Sequence, residues 1–206
     1  MRLIMYHLKR SVRNLVESML MTGDIGAEFR LLSPERAEEG SRVHRLHQAR
    51  RLEEEPSYQK EFFLKHEFVV DDIKVTVDGR ADGVLPTQYI KEIKSTYQSI
   101  EALTDYSNPL HWAQLKFYGF MYLQKVDEPQ ITLKLTYFNI DTEQVYQVDE
   151  VFTKKDLTDF VESVLAMYVG LKRLYFQWQT QRDHSIKVTE FPFLDYRPGQ
   201  REMAVN

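Results

Sequence analysis

Apolar residues recur along this chain at two periods, and the switches between them mark out its elements. Val12, Leu15, Val16, Met19 and Leu20 fall at helical spacing within residues 9–21, with Gly23 as a stop, so an amphipathic helix is expected there. A second helix starts at Ser33-Pro34-Glu35, a capping serine followed by a first-turn proline, and is expected to run to residue 54. From Tyr58 the pattern becomes extended. Phe62, Phe63, Leu64, Phe68, Val69 and Val70 read as one strand, Asp71-Asp72 as a turn, and Ile73, Val75 and Val77 as the returning strand. Asn108-Pro109 opens a helix over residues 110–125. Two strands follow, 130–140 and 144–152, with Asp141-Thr142-Glu143 as the hairpin turn. Thr153-Lys154-Lys155-Asp156 is a capping box. Behind it Leu157, Phe160, Val161, Val164, Leu165, Tyr168, Leu171, Leu174, Tyr175 and Trp178 form a stripe that is expected to cover the sheet. Helices and strands in this order predict an α/β fold with a mixed sheet flanked by helices.

Composition narrows this to one domain with a little extra. In 206 residues, 43% hydrophobic and 13% aromatic, there is material for one good core. The net charge of −4 weighs against a nucleic-acid binder, although an acidic centre and local basic patches coexist in such proteins. The chain has no cysteine, which excludes disulfides, thiolate metal sites and a cysteine-ligated iron–sulfur cluster. No apolar run reaches the roughly 18 residues of a membrane span, and Met1 is followed by no apolar signal core. The expected compartment is the cytoplasm, with no membrane partner.

The candidate chemistry lies in residues 79–94, GRADGVLPTQYIKEIK. Asp82 stands at the end of one apparent strand. Glu92 and Lys94 stand two apart on the next, so they share a face while Ile93 turns into apolar packing. Two carboxylates brought together repel unless a cation lies between them, and hard oxygen ligands suit Mg²⁺ or Mn²⁺. An amine beside such an ion can orient or help deprotonate a water, which is the equipment for phosphodiester hydrolysis. Asp71 and Asp72 are turn residues. Asp78 shares strand parity with Asp82, so geometry alone leaves both open.

With Asp82 in GRADG, Glu92-Ile93-Lys94 as an E-x-K motif, and Gln114 and Tyr118 as Q-x-x-x-Y on the helix after it, the chain resembles the PD-(D/E)XK nucleases in their RecB-like exonuclease branch. The resemblance implies the restriction-endonuclease-like sheet, with Asp82, Glu92 and the Ile93 carbonyl as metal ligands and Lys94 as the residue acting on water. It also implies that Gln114 and Tyr118 approach the bound strand. It selects Asp82 over Asp78 and allows Glu61 as a supporting acid. In this branch the first motif is a helix carrying G-x-x-x-H, matched by Gly40 to His44, which makes His44 a metal ligand; His47 shares that helical face and competes with it. Arg42, Arg45, Arg50 and Arg51 supply a local basic surface. The implied activity is a metal-dependent DNA exonuclease, single-stranded DNA its substrate. The alternative is a binding module that keeps the fold without turnover, against which the complete motif set argues.

The last stretch, Phe191-Pro192-Phe193-Leu194-Asp195-Tyr196-Arg197-Pro198-Gly199-Gln200, resembles the F-P-x-x-x-Y-R-P-x-Q run that precedes the phosphate-binding loop in XPD/DinG-type helicases. No G-x-x-x-x-G-K-[ST] accompanies it. The expected organisation is a nuclease domain over residues 1–185, then a linker and the start of a helicase domain over 186–206. A bland reading of the same run is an exposed proline- and glycine-rich terminus.

Overall fold

A computed structural model of the chain describes residues 6–22, 52–99, 102–103, 108–189 and 199. The chain divides into two compact units, residues 1–169 and 170–206. The first carries β1 (Tyr6–Ser11), α1 (Val12–Leu20), β2 (Gln59–Val70), β3 (Ile73–Leu85), β4 (Tyr89–Thr96), α2 (Pro109–Leu123), β5 (Gln130–Asn139), β6 (Val145–Thr153) and the beginning of α3 (Lys154–Val188). The described part of the second is the remainder of α3, Thr189 and Gly199. Helix α3 runs through residues 185 and 186 to Val188.

The strands make one mixed sheet of six, in the order β1-β3-β4-β5-β6, with β2 on the other edge of β3. β1 with β3 and β4 with β5 are parallel; β2 with β3, β3 with β4 and β5 with β6 are antiparallel. The β2–β3 hairpin turns at Asp71, whose φ of 54° lies in the left-handed region that aspartate tolerates. On β3 every second residue, Ile73, Val75 and Val77, is buried, as a strand with one face in the core requires. α2 is buried almost throughout from Phe117 to Leu123, with Phe120 stacked on Phe68 at 5.6 Å and edge-on to His66 at 5.3 Å. Asn108 caps this helix by accepting the Leu110 N–H at 2.9 Å, and Pro109 takes the first helical position. The capping box before α3 is present. The Thr153 hydroxyl donates to Asp156 at 2.6 Å and accepts the Asp156 N–H at 3.1 Å.

Three expectations need correction. Residues 9–11 belong to a strand, and the first helix begins at Val12, with the Ser11 side chain accepting the Asn14 N–H at 3.2 Å. Parallel pairing with β3 fixes β1, and its largely exposed residues carry no alternation that the sequence would reveal. The returning strand runs beyond Val77 as far as Leu85, so Asp82 sits inside it. The α3 stripe is buried only through Val169; Leu171, Leu174, Tyr175 and Trp178 are 44–65% exposed. The helical period continues past the point where the first unit ends.

Candidate active site

The sheet departs from regular pairing at one place, around Asp82. β3 runs beside β1 as far as Asp78 and beside β4 only from Gly83 to Leu85. In that second register Gly83 faces Lys91, and the ladder ends before the pair that continuing it would oppose, Asp82 and Glu92. Residues directly opposed in an antiparallel pair put their side chains on one face. The main-chain donor released by the split is taken by a side chain: Asp82 Oδ2 accepts the Ile93 N–H at 2.6 Å. On the other edge of β3 the ladder also skips a pair, between Lys60 opposite Gly83 and Phe62 opposite Ala81. There Glu61, opposite Asp82, takes a left-handed φ of 51° and is exposed. Strained backbone of this kind persists only where its surroundings enforce it, and it gathers at functional sites.

Glu92 is nearly enclosed, its side chain 4% exposed, and the partners of Oε1 are defined. The Lys94 ammonium donates to Oε1 at 2.7 Å, and Gln114 Nε2 donates to the same oxygen at 2.9 Å. Lys94 also donates to Gln114 Oε1 at 3.1 Å, closing a ring of three side chains. The other carboxylate oxygen, Oε2, is buried. A buried carboxylate needs a charged partner and saturated hydrogen bonds to stay ionised. The ring meets that need on one side of Glu92.

Gln114 Nε2 lies 3.1 Å from the Tyr118 hydroxyl, so the helical i, i+4 spacing extends the ring by one member. Tyr118 is 3% exposed, and its hydroxyl is pushed well above the usual phenol range, first by burial and then by the Glu92 charge. It stays a protonated phenol. The ring edge reaches this depth because Gly79 leaves room: a Cβ there would stand 2.8 Å from Tyr118 Cε1. Gly83 serves Tyr58 in the same way, since a Cβ would overlap its hydroxyl.

Beside Lys94 opens a cleft of about 370 Å³ between α1, β4 and α2, lined by Arg13, Glu17, Ile93, Lys94, His111 and Gln114 among others. His111, one turn before Gln114 on α2, has its pKa lowered to about 3, first by burial and then by the Lys94 and Arg13 charges. Its Nδ1 is 3.0 Å from the Tyr137 hydroxyl. Sequence reasoning missed His111. The signal available was its place on one α2 face with Gln114 and Tyr118, at positions i, i+3 and i+7.

The structure thus brings Asp82, Glu92, Ile93, Lys94, Gln114 and Tyr118 together. His44 and its competitor His47 lie outside the described residues. Asp78 is drawn away to the opposite strand, paired with Lys9 at 2.9 Å. Among the described residues no three His, Asp or Glu side chains gather as a complete metal set. Asp82 and Glu92 offer hard oxygen donors of the kind Mg²⁺ or Mn²⁺ takes, with the Ile93 carbonyl next to Glu92 in sequence and the Ile93 N–H on Asp82 Oδ2 at 2.6 Å, so the residues present fit such an ion.

No family model and no curated protein matches the chain. Solved structures do match. An alkaline exonuclease (LHK-Exo) from Laribacter hongkongensis superposes with a TM-score of 0.51 at 13% identity, covering 84% of this chain and 94% of that one. LHK-Exo in complex with dAMP gives 0.53 at 14% identity, over 84% and 93%. At such identity the likeness speaks for the fold alone, a mixed sheet flanked by helices.

Proposed function

We propose that this chain is a metal-dependent deoxyribonuclease that digests single-stranded DNA from an end. The observation that carries the reading is the hydrogen bond from the Ile93 N–H to Asp82 where the β3–β4 ladder gives way, beside Glu92 with the Lys94 ammonium on it. Asp82, Glu92 and the Ile93 carbonyl would hold Mg²⁺ or Mn²⁺, with His44 as a further ligand. The chemistry a bound divalent ion supplies is an acidified water and neutralisation of charge on the phosphate. Lys94 orients the water that attacks phosphorus and faces the charge that builds as the P–O bond breaks. Gln114 fixes Lys94 and Glu92 relative to each other and, from the cleft wall, contacts the strand. Tyr118 is buried, so it acts through Gln114.

Two further parts of the reading are proposed on sequence alone. The Phe191–Gln200 run supports a helicase domain on the same polypeptide, and a translocating motor would deliver unpaired strand at high effective concentration. Repair or recombination is the process that such a pairing serves.

The test is incubation of end-labelled single- and double-stranded DNA with the protein and Mn²⁺. Wild type is expected to shorten the single strand from its end, with activity lost on chelation. Asp82→Asn and Glu92→Gln are expected to abolish it while far-UV circular dichroism stays unchanged. A double variant that degrades DNA at the wild-type rate refutes the assignment of the site.

A further inference from the structure

The Tyr137 hydroxyl decides the state of His111. It accepts the Asn108 N–H at 3.3 Å and lies 3.0 Å from His111 Nδ1, and these are the two hydrogen bonds it makes among the described residues. Tyr137 is 3% exposed, so its phenol proton needs a protein acceptor. Nδ1 is the acceptor in reach. A ring that accepts at Nδ1 carries its own proton at Nε2, and with Nδ1 engaged, Nε2–H is the polar group this cleft-lining side chain has left. Burial and the charges of Lys94 and Arg13 keep the ring neutral.

The rest of the cleft wall carries two cations. Lys94 and Arg13 are its cations, Ser95, Asn108 and Gln114 its neutral polar members beside four apolar side chains, and its acidic member, Glu17, is held by Arg13 at 2.7 Å. Two cations next to a site for phosphodiester chemistry match the charge of a phosphate, which a nucleobase edge does not carry.

On the nuclease reading above, we infer that His111 is a substrate-binding residue, its Nε2–H, fixed by Tyr137, donating to a phosphate oxygen of the strand lying in the cleft between α1 and α2. Because the donor is a neutral imidazole locked in one tautomer, it grips the strand without adding a third cation to Lys94 and Arg13. Such a contact is made equally in ground state and transition state, so it belongs to affinity and not to turnover.

The tautomer is read directly by two-bond proton–nitrogen correlation NMR on ¹⁵N-labelled protein, where His111 is expected as the Nε2–H form at neutral pH and Tyr137→Phe is expected to release a mixture. Affinity is read by fluorescence anisotropy of a labelled single-stranded oligonucleotide in EDTA, which removes cleavage from the measurement. His111→Phe is expected to weaken binding about tenfold, the size of one hydrogen bond to a charged group, with kcat on the oligonucleotide within about twofold of wild type. His111→Gln, which keeps an N–H, is expected to recover most of the loss. His111→Phe with Tyr137→Phe removes the stranded phenol proton and must bind as weakly as His111→Phe, which separates lost contact from lost fold. An Nδ1–H ring in wild type, or a His111→Phe variant that binds like wild type while wild type cuts DNA, overturns this inference and leaves the nuclease reading standing. A wild-type protein that neither binds nor cuts the oligonucleotide overturns both.

Discussion

Strands β3 and β4 hold their ladder for three residue pairs, from Gly83 opposite Lys91 to Leu85 opposite Tyr89, whereas β5 and β6 pair without interruption from Gln130 opposite Thr153 to Phe138 opposite Val145. The two regions also treat charge differently. In the second, Lys134 meets Asp149 at 3.0 Å across the sheet, with the carboxylate 40% exposed. In the first, Lys94 meets Glu92 at 2.7 Å with the carboxylate 4% exposed, and a second carboxylate, Asp82, bonds to main chain where the ladder has stopped. Giving up main-chain pairs and enclosing a carboxylate both cost stability, and β5–β6 shows that this sheet can avoid both. A fold that accepts such costs at one place marks that place for chemistry.

The largest effect that would sharpen this contrast comes from Lys94. Lys94→Gln is expected to lower the rate roughly 100- to 1,000-fold, the range for removing one preorganised charge-stabilising donor, while Mn²⁺ affinity measured by calorimetry holds or rises. Without its cation Glu92 is a buried charge, which costs about 3–5 kcal/mol when one partner of a buried pair is removed. A divalent ion offsets that loss. Mn²⁺ should therefore raise the melting temperature of Lys94→Gln more than that of wild type. Loss of metal affinity together with activity would make Lys94 a structural counter-charge and nothing more.

Next is the space that Gly79 leaves for Tyr118. Gly79→Ala forces a buried aromatic ring to shift and is expected to destabilise by about 1–3 kcal/mol, as overpacking does, and to lower activity by loosening Gln114. Adding Tyr118→Leu should restore stability in urea denaturation but leave activity low, because the hydroxyl that meets Gln114 is gone. If the double variant recovers both, Tyr118 is packing alone.

The pH dependence follows from His111. Its pKa is lowered to about 3 from the ordinary 6.5, so the unfolded chain binds a proton in a range where the folded chain does not. Unfolding free energy is then unaffected above pH 6.5, falls as pH drops below that value, and levels off near pH 3. Between pH 7 and pH 5 the fall is about 2 kcal/mol from this group, at 1.36 kcal/mol per pKa unit. Urea titrations of wild type and His111→Phe should differ in slope over that window. Parallel curves would mean that the ring is not buried as the structure has it.

Much of this site was legible because it is local in sequence. Glu92 and Lys94 share a face by strand parity, and Gln114 and Tyr118 share one by helical spacing, so the periods alone bring each pair together. The order of helices and strands sufficed for the mixed sheet. What stayed hidden depends on contacts between distant segments. β1 is a strand because β3 lies beside it, and its exposed residues show no alternation. Asp82 reaches the Ile93 N–H because the β3–β4 ladder ends at Gly83 and Lys91, and His111 acquires a role only through Tyr137, 26 residues on in β5. The α3 stripe misled for the opposite reason: its period is regular beyond Val169, but the core it would cover is not.

The smallest expected effect tests the other half of the comparison. Asp149→Ala removes the carboxylate of the β5–β6 pair, where water already screens the charge and the main-chain ladder holds on both sides of it. The expected change is within about 0.5 kcal/mol, with cleavage of single-stranded DNA unaltered. Lys134→Ala is the poorer probe, because its ammonium also lies 4.5 Å from the centre of the Tyr89 ring and its removal mixes two losses. A double-mutant cycle separates them, and the Lys134–Asp149 coupling should come out at roughly 0.2–1 kcal/mol, as for exposed pairs. The same cycle on Lys94 and Glu92 should give a coupling several times larger, because each single variant leaves the other charge enclosed. Equal couplings in the two pairs would mean that burial around Glu92 does not set its energetics. The contrast between a scaffold edge and a reactive split in the sheet would then rest on geometry alone.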